Sequence, residues 1–148
     1  LESKGFSASD FKVFHPGGQL GAKLKFVSDI MHGRDELPLA GRDVAMSEAL
    51  VVMTEKSLGC LGVTDADGKL VGMITDGDLR RHMGPELLNM TVGEIMTSEP
   101  KTIGSDTLAS AALELLNSMS ITSVFVVDDG GKPKGLVHVH DLLRLGVA

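Results

Sequence analysis

With 148 residues, a formal net charge of −6, 43% hydrophobic and 23% charged residues, the chain has the balance of an ordinary globular domain, able to bury roughly 70% of its unfolded surface. The acidic balance, the lack of any Lys/Arg stripe and the absence of Trp and Tyr exclude a nucleic-acid surface built on phosphate contacts or base stacking. Apolar runs too short to span a bilayer, an N-terminus without a secretion signal and a single cysteine, Cys60, exclude a membrane partner and a disulfide framework and point to a reduced, cytoplasmic setting.

The sequence opens on Leu1 rather than Met, which suggests a processed chain or a piece of something longer. Residues 1–26 carry no strong periodicity. His15-Pro16-Gly17-Gly18 reads as a turn, and the Gly17-Gly18-x-x-Gly21 spacing has no strand before it, as a phosphate loop would require. This stretch is expected to be a poorly anchored linker.

From residue 27 the sequence repeats itself. Val27-Ser28-Asp29-Ile30-Met31 returns 65 positions later as Val92-Gly93-Glu94-Ile95-Met96. After a two-residue deletion the offset is 63, and Asp43 meets Asp106, Ala49-Leu50 meets Ala112-Leu113, Asp65 meets Asp128, Gly72 meets Gly135, Asp78-Leu79 meets Asp141-Leu142 and Arg81 meets Arg144. The repeats run over 27–87 and 88–148.

Each copy predicts the order β-α-β-β-α. A leading strand at 36–39, or 101–103, precedes an N-cap at Asp43, or Asp106. An amphipathic helix follows, with Leu50 and Met53 in the first copy and Leu108, Ala112, Leu115, Leu116 and Met119 in the second. Two apolar runs joined by a polar turn then predict a hairpin, 60–64 with 70–75 and 124–127 with 135–139. Cys60 lies in the first of these runs and reads as a small buried hydrophobe. A short helix, 78–83 or 141–145, closes each unit. A unit this small leaves sheet surface and edges uncovered, so two copies are expected to pack through their sheets about a pseudo-twofold axis. Two related clefts would form where strand ends and helix N-termini meet, and free N–H groups there favour phosphate.

Gly72-Met73-Ile74-Thr75-Asp76-Gly77-Asp78 resembles the Gly-x-x-Thr-x-x-Asp ligand motif of cystathionine-beta-synthase-type (CBS) domains, and Gly135-Leu136-Val137-His138-Val139-His140-Asp141 stands at the same place in the second copy. The resemblance covers both repeats and implies an α/β (α+β) tandem CBS-domain pair. A narrower resemblance rests on Asp10-Phe11-Lys12-Val13-Phe14-His15-Pro16-Gly17-Gly18-Gln19-Leu20-Gly21, on Thr75-Asp76-Gly77-Asp78-Leu79-Arg80-Arg81 and on His138-Val139-His140-Asp141-Leu142-Leu143-Arg144. These stretches are similar to the C-terminal half of D-arabinose-5-phosphate isomerases, which place a sugar-isomerase domain before a CBS pair and supply the precursor of Kdo for lipopolysaccharide and capsule. The chain then resembles their regulatory part and linker without the catalytic domain. By the same resemblance, His15 takes part in catalysis only in the full-length enzyme.

The resemblance implies that Asp78 and Asp141 accept hydrogen bonds from ribose hydroxyls, a role that suits a carboxylate facing a vicinal diol. Both residues can equally cap their short helices, and the two roles coexist. Thr75 is placed to donate to a phosphate. His138 departs from the motif at the matching position, but can donate from a ring nitrogen or pair with phosphate when protonated, so the second cleft is expected to prefer a different ligand. Arg81 and Lys101 are candidates to neutralise an anionic ligand, and on an acidic protein they serve as readily as surface charges. Thr102, Thr122 and Ser123 complete the candidate set through hydroxyl and backbone contacts to a base or sugar, or are ordinary strand residues. His138 and His140, two apart on a strand end, raise a metal reading, yet without a third ligand no metal is expected.

The function expected is a nucleotide-sensing module that tunes an attached sugar-phosphate isomerase. The resemblance makes CMP-Kdo, the pathway's activated product, the first candidate ligand and an adenine nucleotide the next, with no cofactor required. One alternative is a structural dimerisation module with empty clefts. The other is an isomerase fragment using His15, His138 and His140 as acid–base groups, against which the repeats show no nucleophile–base constellation. A homodimer, within a parent enzyme of higher homo-oligomeric order, is expected on the resemblance.

Overall fold

The computed structural model describes residues 25–146. The candidate His15 and the linker up to residue 24 lie outside the described residues. In chain order the elements are β1 (Leu39–Gly41), α1 (Met46–Lys56), β2 (Cys60–Thr64), β3 (Leu70–Thr75), α2 (Asp76–Arg81), α3 (Val92–Ile95), β4 (Thr97–Ser98), β5 (Thr102–Ile103), α4 (Ala109–Met119), β6 (Ser123–Val127), β7 (Pro133–His138) and α5 (Val139–Arg144). Short 3-10 turns occupy Val27–Asp29, Arg34–Glu36 and Leu87–Asn89.

The repeat is borne out strand by strand. β1 runs parallel to β2, which pairs antiparallel with β3 in the register Cys60↔Thr75. β5 runs parallel to β6, which pairs antiparallel with β7 in the register Ser123↔His138. Both hairpins slip register at the same point, after Val63 and after Val126. Each turn is held by an aspartate: Asp65 Oδ1 accepts from the Asp67 and Lys69 amides, and Asp128 Oδ1 from the Gly130 and Lys132 amides, all at 2.9 Å.

The helix starts differ from the sequence reading for a physical reason. Asp43 and Asp106 are not the N-caps; Ala45 and Leu108 are, in extended backbone. Each of these two residues bridges to the leader of the other repeat, Ala45 to Thr91 and Leu108 to Phe26. The first helical amides donate across the same junctions, Met46 N to Met90 O at 2.8 Å and Ala109 N to Lys25 O at 2.7 Å. A tertiary backbone contact thus takes over the task assigned to a local side chain. Likewise β1 begins at Leu39, because residues 34–36 form a 3-10 turn, and α2 and α5 begin at Asp76 and Val139, ahead of the expected starts at 78 and 141.

The leaders are exchanged between the repeats. β4, which precedes the second repeat's own strands, adds to the first sheet through Gly72↔Ser98 and Met73↔Thr97. His32, from the first repeat's leader, bridges to Leu136 of β7. A Cβ on Gly72 would collide with Met96, and one on Gly135 with Met31, so the Ile-Met doublet of each leader lies on a glycine of the opposite hairpin. Val27 is buried in the core with Ala109, Leu116, Val124 and Leu142, whereas Val92 and Ile95 are buried with Met46, Leu61, Val63 and Ile74. A third apolar cluster, Leu37, Cys60, Met73, Phe125 and Leu136, joins the two sheets about the pseudo-twofold axis. Gly62 makes that approach possible, since a Cβ there would stand 2.7 Å from Phe125 Cζ.

Candidate functional site

The first cleft is built on the junction of β3 and α2. Thr75 ends the strand and caps the helix, which places Asp78 at the third helical position with its carboxylate turned back toward the strand end. Asp78 is only 3% exposed. Its Oδ2 accepts from Thr75 N at 2.9 Å and Thr75 Oγ1 at 3.2 Å; its Oδ1 accepts from Thr97 Oγ1 at 2.7 Å and from the Arg81 guanidinium. Burial alone would raise the Asp78 pKa, but the Thr97 and Thr75 hydrogen bonds and the Arg81 charge outweigh it and hold the carboxyl below its ordinary value. The group is an anion with all of its acceptor sites taken.

Beside it lies a cavity of about 460 Å³ between the two repeats. Six candidates from the sequence line it: Thr75, Asp78, Arg81, Lys101, Thr122 and Ser123, with Arg80 on the same wall. Ser123 is 4% exposed, and its buried Oγ finds no hydrogen-bond partner. Cys60 and Ser123 are equivalent positions that both line the cavity. Burial, with the Asp76 charge adding to the rise, pushes the Cys60 thiol up to about 12, so Cys60 is the inert buried residue expected of it.

Thr102 is not among the residues lining that cavity; it is half-buried on β5, paired with Phe125. His138, His140 and Asp141 gather at the second, pseudo-equivalent junction. There Asp141 Oδ2 meets His32 Nε2 at 2.9 Å and accepts from His138 N at 3.3 Å, and Arg144 stands 3.8 Å from Oδ1. The other ring nitrogen of His32 is 3.4 Å from Glu36 Oε1. His138 and His140 do not share a strand face: β7 ends at His138, and His140 lies in the first turn of α5. Their rings stack at 4.8 Å, and His138 Nδ1 accepts the His140 amide at 3.1 Å, which leaves Nε2 as its donor. Burial first, then the neighbouring His140, lowers the His138 pKa against the opposing pull of Asp141. Among the described residues no group of three or more His, Cys, Asp or Glu is arranged to hold a metal ion.

Sequence reasoning missed Thr97 and His32. Each follows the Ile-Met doublet of its leader, and each hydrogen-bonds the aspartate of the opposite hairpin's helix. The available signal was positional: the two residues are equivalent at the 65-residue offset that aligns the doublets.

Fold and clefts together define a class, the tandem α/β module with one helix-borne aspartate in each of two pseudo-equivalent junctions. The CBS domain model matches residues 27–84 and 92–148, and the chain belongs to the CBS domain family as a pair. Over 99% of its length it is 42% identical to the arabinose 5-phosphate isomerase KdsD of Pseudomonas aeruginosa and 44% identical to that of Salmonella typhi. It is 43% identical to the uncharacterized protein RP505 of Rickettsia prowazekii, again over 99% of the chain. The chain spans 45–46% of the length of these relatives. Among solved structures, the CBS pair of MJ0100 in complex with 5′-methylthioadenosine and S-adenosyl-L-methionine superposes with a TM-score of 0.74 at 28% identity, covering 82% of this chain and 95% of that one. CBSX2 in complex with AMP gives 0.70 at 27% identity, covering 80% and 93%. Among the described residues no helix is long and apolar enough to cross a membrane.

Proposed function

We propose that this CBS pair is the nucleotide-binding regulatory module of a D-arabinose-5-phosphate isomerase, with the first cleft as its nucleotide site. The observation that carries the reading is the cavity of about 460 Å³ that gathers Thr75, Asp78, Arg81, Lys101, Thr122 and Ser123 from both repeats. Its size falls in the range of small-molecule sites. A buried carboxylate for a diol, two cationic side chains for an anion and an unsatisfied buried hydroxyl form a polar set that a nucleotide matches. The AMP, 5′-methylthioadenosine and S-adenosyl-L-methionine complexes of the structural neighbours support an adenine nucleotide. Likeness to the KdsD enzymes supports CMP-Kdo, which offers a ribose and an anionic group to the same residues. Binding regulates through its unequal affinity for two arrangements of the pair, and the difference passes to the catalytic half. The same reading makes the module a cytoplasmic homodimer inside a larger homo-oligomeric enzyme.

Calorimetric titration with AMP, 5′-methylthioadenosine and CMP-Kdo tests the site. Saturable binding of at least one of them is expected, lost in Asp78→Asn and kept in Asp141→Asn. Heatless titrations across the set refute the nucleotide reading; loss only in Asp141→Asn moves the site to the other cleft.

A further inference from the structure

The Asp78 carboxylate leaves no acceptor site free for a ligand. A carboxylate offers about four acceptor positions, and the Thr75 amide, the Thr75 hydroxyl, the Thr97 hydroxyl and the Arg81 guanidinium take them. A ligand diol can reach Asp78 only by displacing one of these donors. The Thr75 amide belongs to the backbone that ends β3, and the two threonine hydroxyls sit on short side chains anchored in β3 and β4. Arg81 alone has a long, flexible side chain, and that side chain is 64% exposed. It also lines the cavity beside Asp78.

We infer that Arg81 is an exchange residue: in the empty cleft it occupies the acceptor site of Asp78 that a hydroxyl of a ligand diol takes over, and on release its guanidinium binds a phosphate carried next to that diol. This rests on the nucleotide reading of the first cleft and adds to it a selection rule. A phosphorylated nucleoside recovers the Arg81 interaction that its diol breaks; an unphosphorylated nucleoside breaks it and recovers nothing. Arg81 therefore acts for one ligand class and against the other, which a simple electrostatic attraction or a purely structural role would not do. The equivalent Arg144 stands 3.8 Å from Asp141, whose Oδ2 is held by His32 instead, so the exchange belongs to the first cleft alone.

Titration of wild type, Arg81→Ala and Arg81→Lys with AMP and with 5′-methylthioadenosine, which share a ribose and differ in the phosphate, tests this. Arg81→Ala is expected to shrink the preference for AMP over 5′-methylthioadenosine by about ten- to hundredfold, the worth of the charge-assisted hydrogen bond to the phosphate. The shift comes mainly from 5′-methylthioadenosine, which the same variant is expected to bind several-fold or more tighter than wild type, with Arg81→Lys between wild type and Arg81→Ala. Binding of 5′-methylthioadenosine that is weakened or unchanged in Arg81→Ala overturns the exchange while leaving the nucleotide reading in place. Failure of wild type to bind either ligand overturns that reading and the exchange with it. Thermal unfolding of Arg81→Ala close to that of wild type confirms that the comparison is made on folded protein.

Discussion

Asp78 and Asp141 stand at equivalent positions and each accepts the amide of the residue three before it, yet their side-chain partners differ: Thr97 and Arg81 for the first, His32 for the second. The chemistry of each cleft follows from that difference. The first is an anion satisfied by hydroxyl, amide and guanidinium donors beside an open cavity, whereas in the second the His32 imidazole takes the place of the Thr97 hydroxyl. His138 is expected to make stability depend on pH. Its pKa is lowered in the fold from an ordinary 6.5 by burial and by His140, so the folded state favours the neutral ring. A pKa lower in the folded than in the unfolded chain means a contribution to stability that is full above pH 6.5 and is lost as pH falls through the folded value. His138→Gln should therefore unfold with a shallower pH dependence than wild type between pH 7 and pH 5, by thermal denaturation; identical slopes would show that another group sets the acid limb.

At the scale of elements, the repeat works because each leader lies across a hairpin of the other copy. Gly135 faces Met31 and Gly72 faces Met96 so closely that neither position has room for a side chain. Gly135→Ala should destabilise by about 1–3 kcal/mol, the usual cost of overpacking a filled site. Adding Met31→Ala to Gly135→Ala should recover part of that loss, although Met31→Ala alone destabilises; strict additivity in chemical denaturation would show that the two do not touch. The hairpins and their turns were readable from residues 60–75 and 124–138 because apolar runs, polar turns and glycine spacing act locally. Helix starts were not, since a backbone bridge from a segment tens of residues away decides them at Ala45 and Leu108. The same holds for the site. Thr75 and Asp78 carry a local motif, whereas His32 and Thr97 become site residues only through the exchange of leaders, which no window of sequence displays.

For the whole molecule, the exchange means that the sequence repeats and the packed cores are different sets of residues. The first repeat's leader, residues 26–32, completes the second core through Val27, bonds to Leu136 through both backbone groups of His32 at 2.8 and 3.1 Å, and reaches Asp141 with its ring. The second repeat's leader does the same for the first core, but from within the chain, where it cannot be removed without cutting the repeats apart. A chain beginning at residue 37 separates the two cores. It keeps every residue of the first core and loses Val27, worth about 1.5–3 kcal/mol if fully exposed, together with Ile30 and Met31, which pack against the second core. Hydrogen exchange should show amides of α4, β6 and β7 losing protection well before those of α1, β2 and β3. Equal loss in both sheets would mean that the two cores unfold as one unit and that the leader serves the whole pair rather than the second sheet.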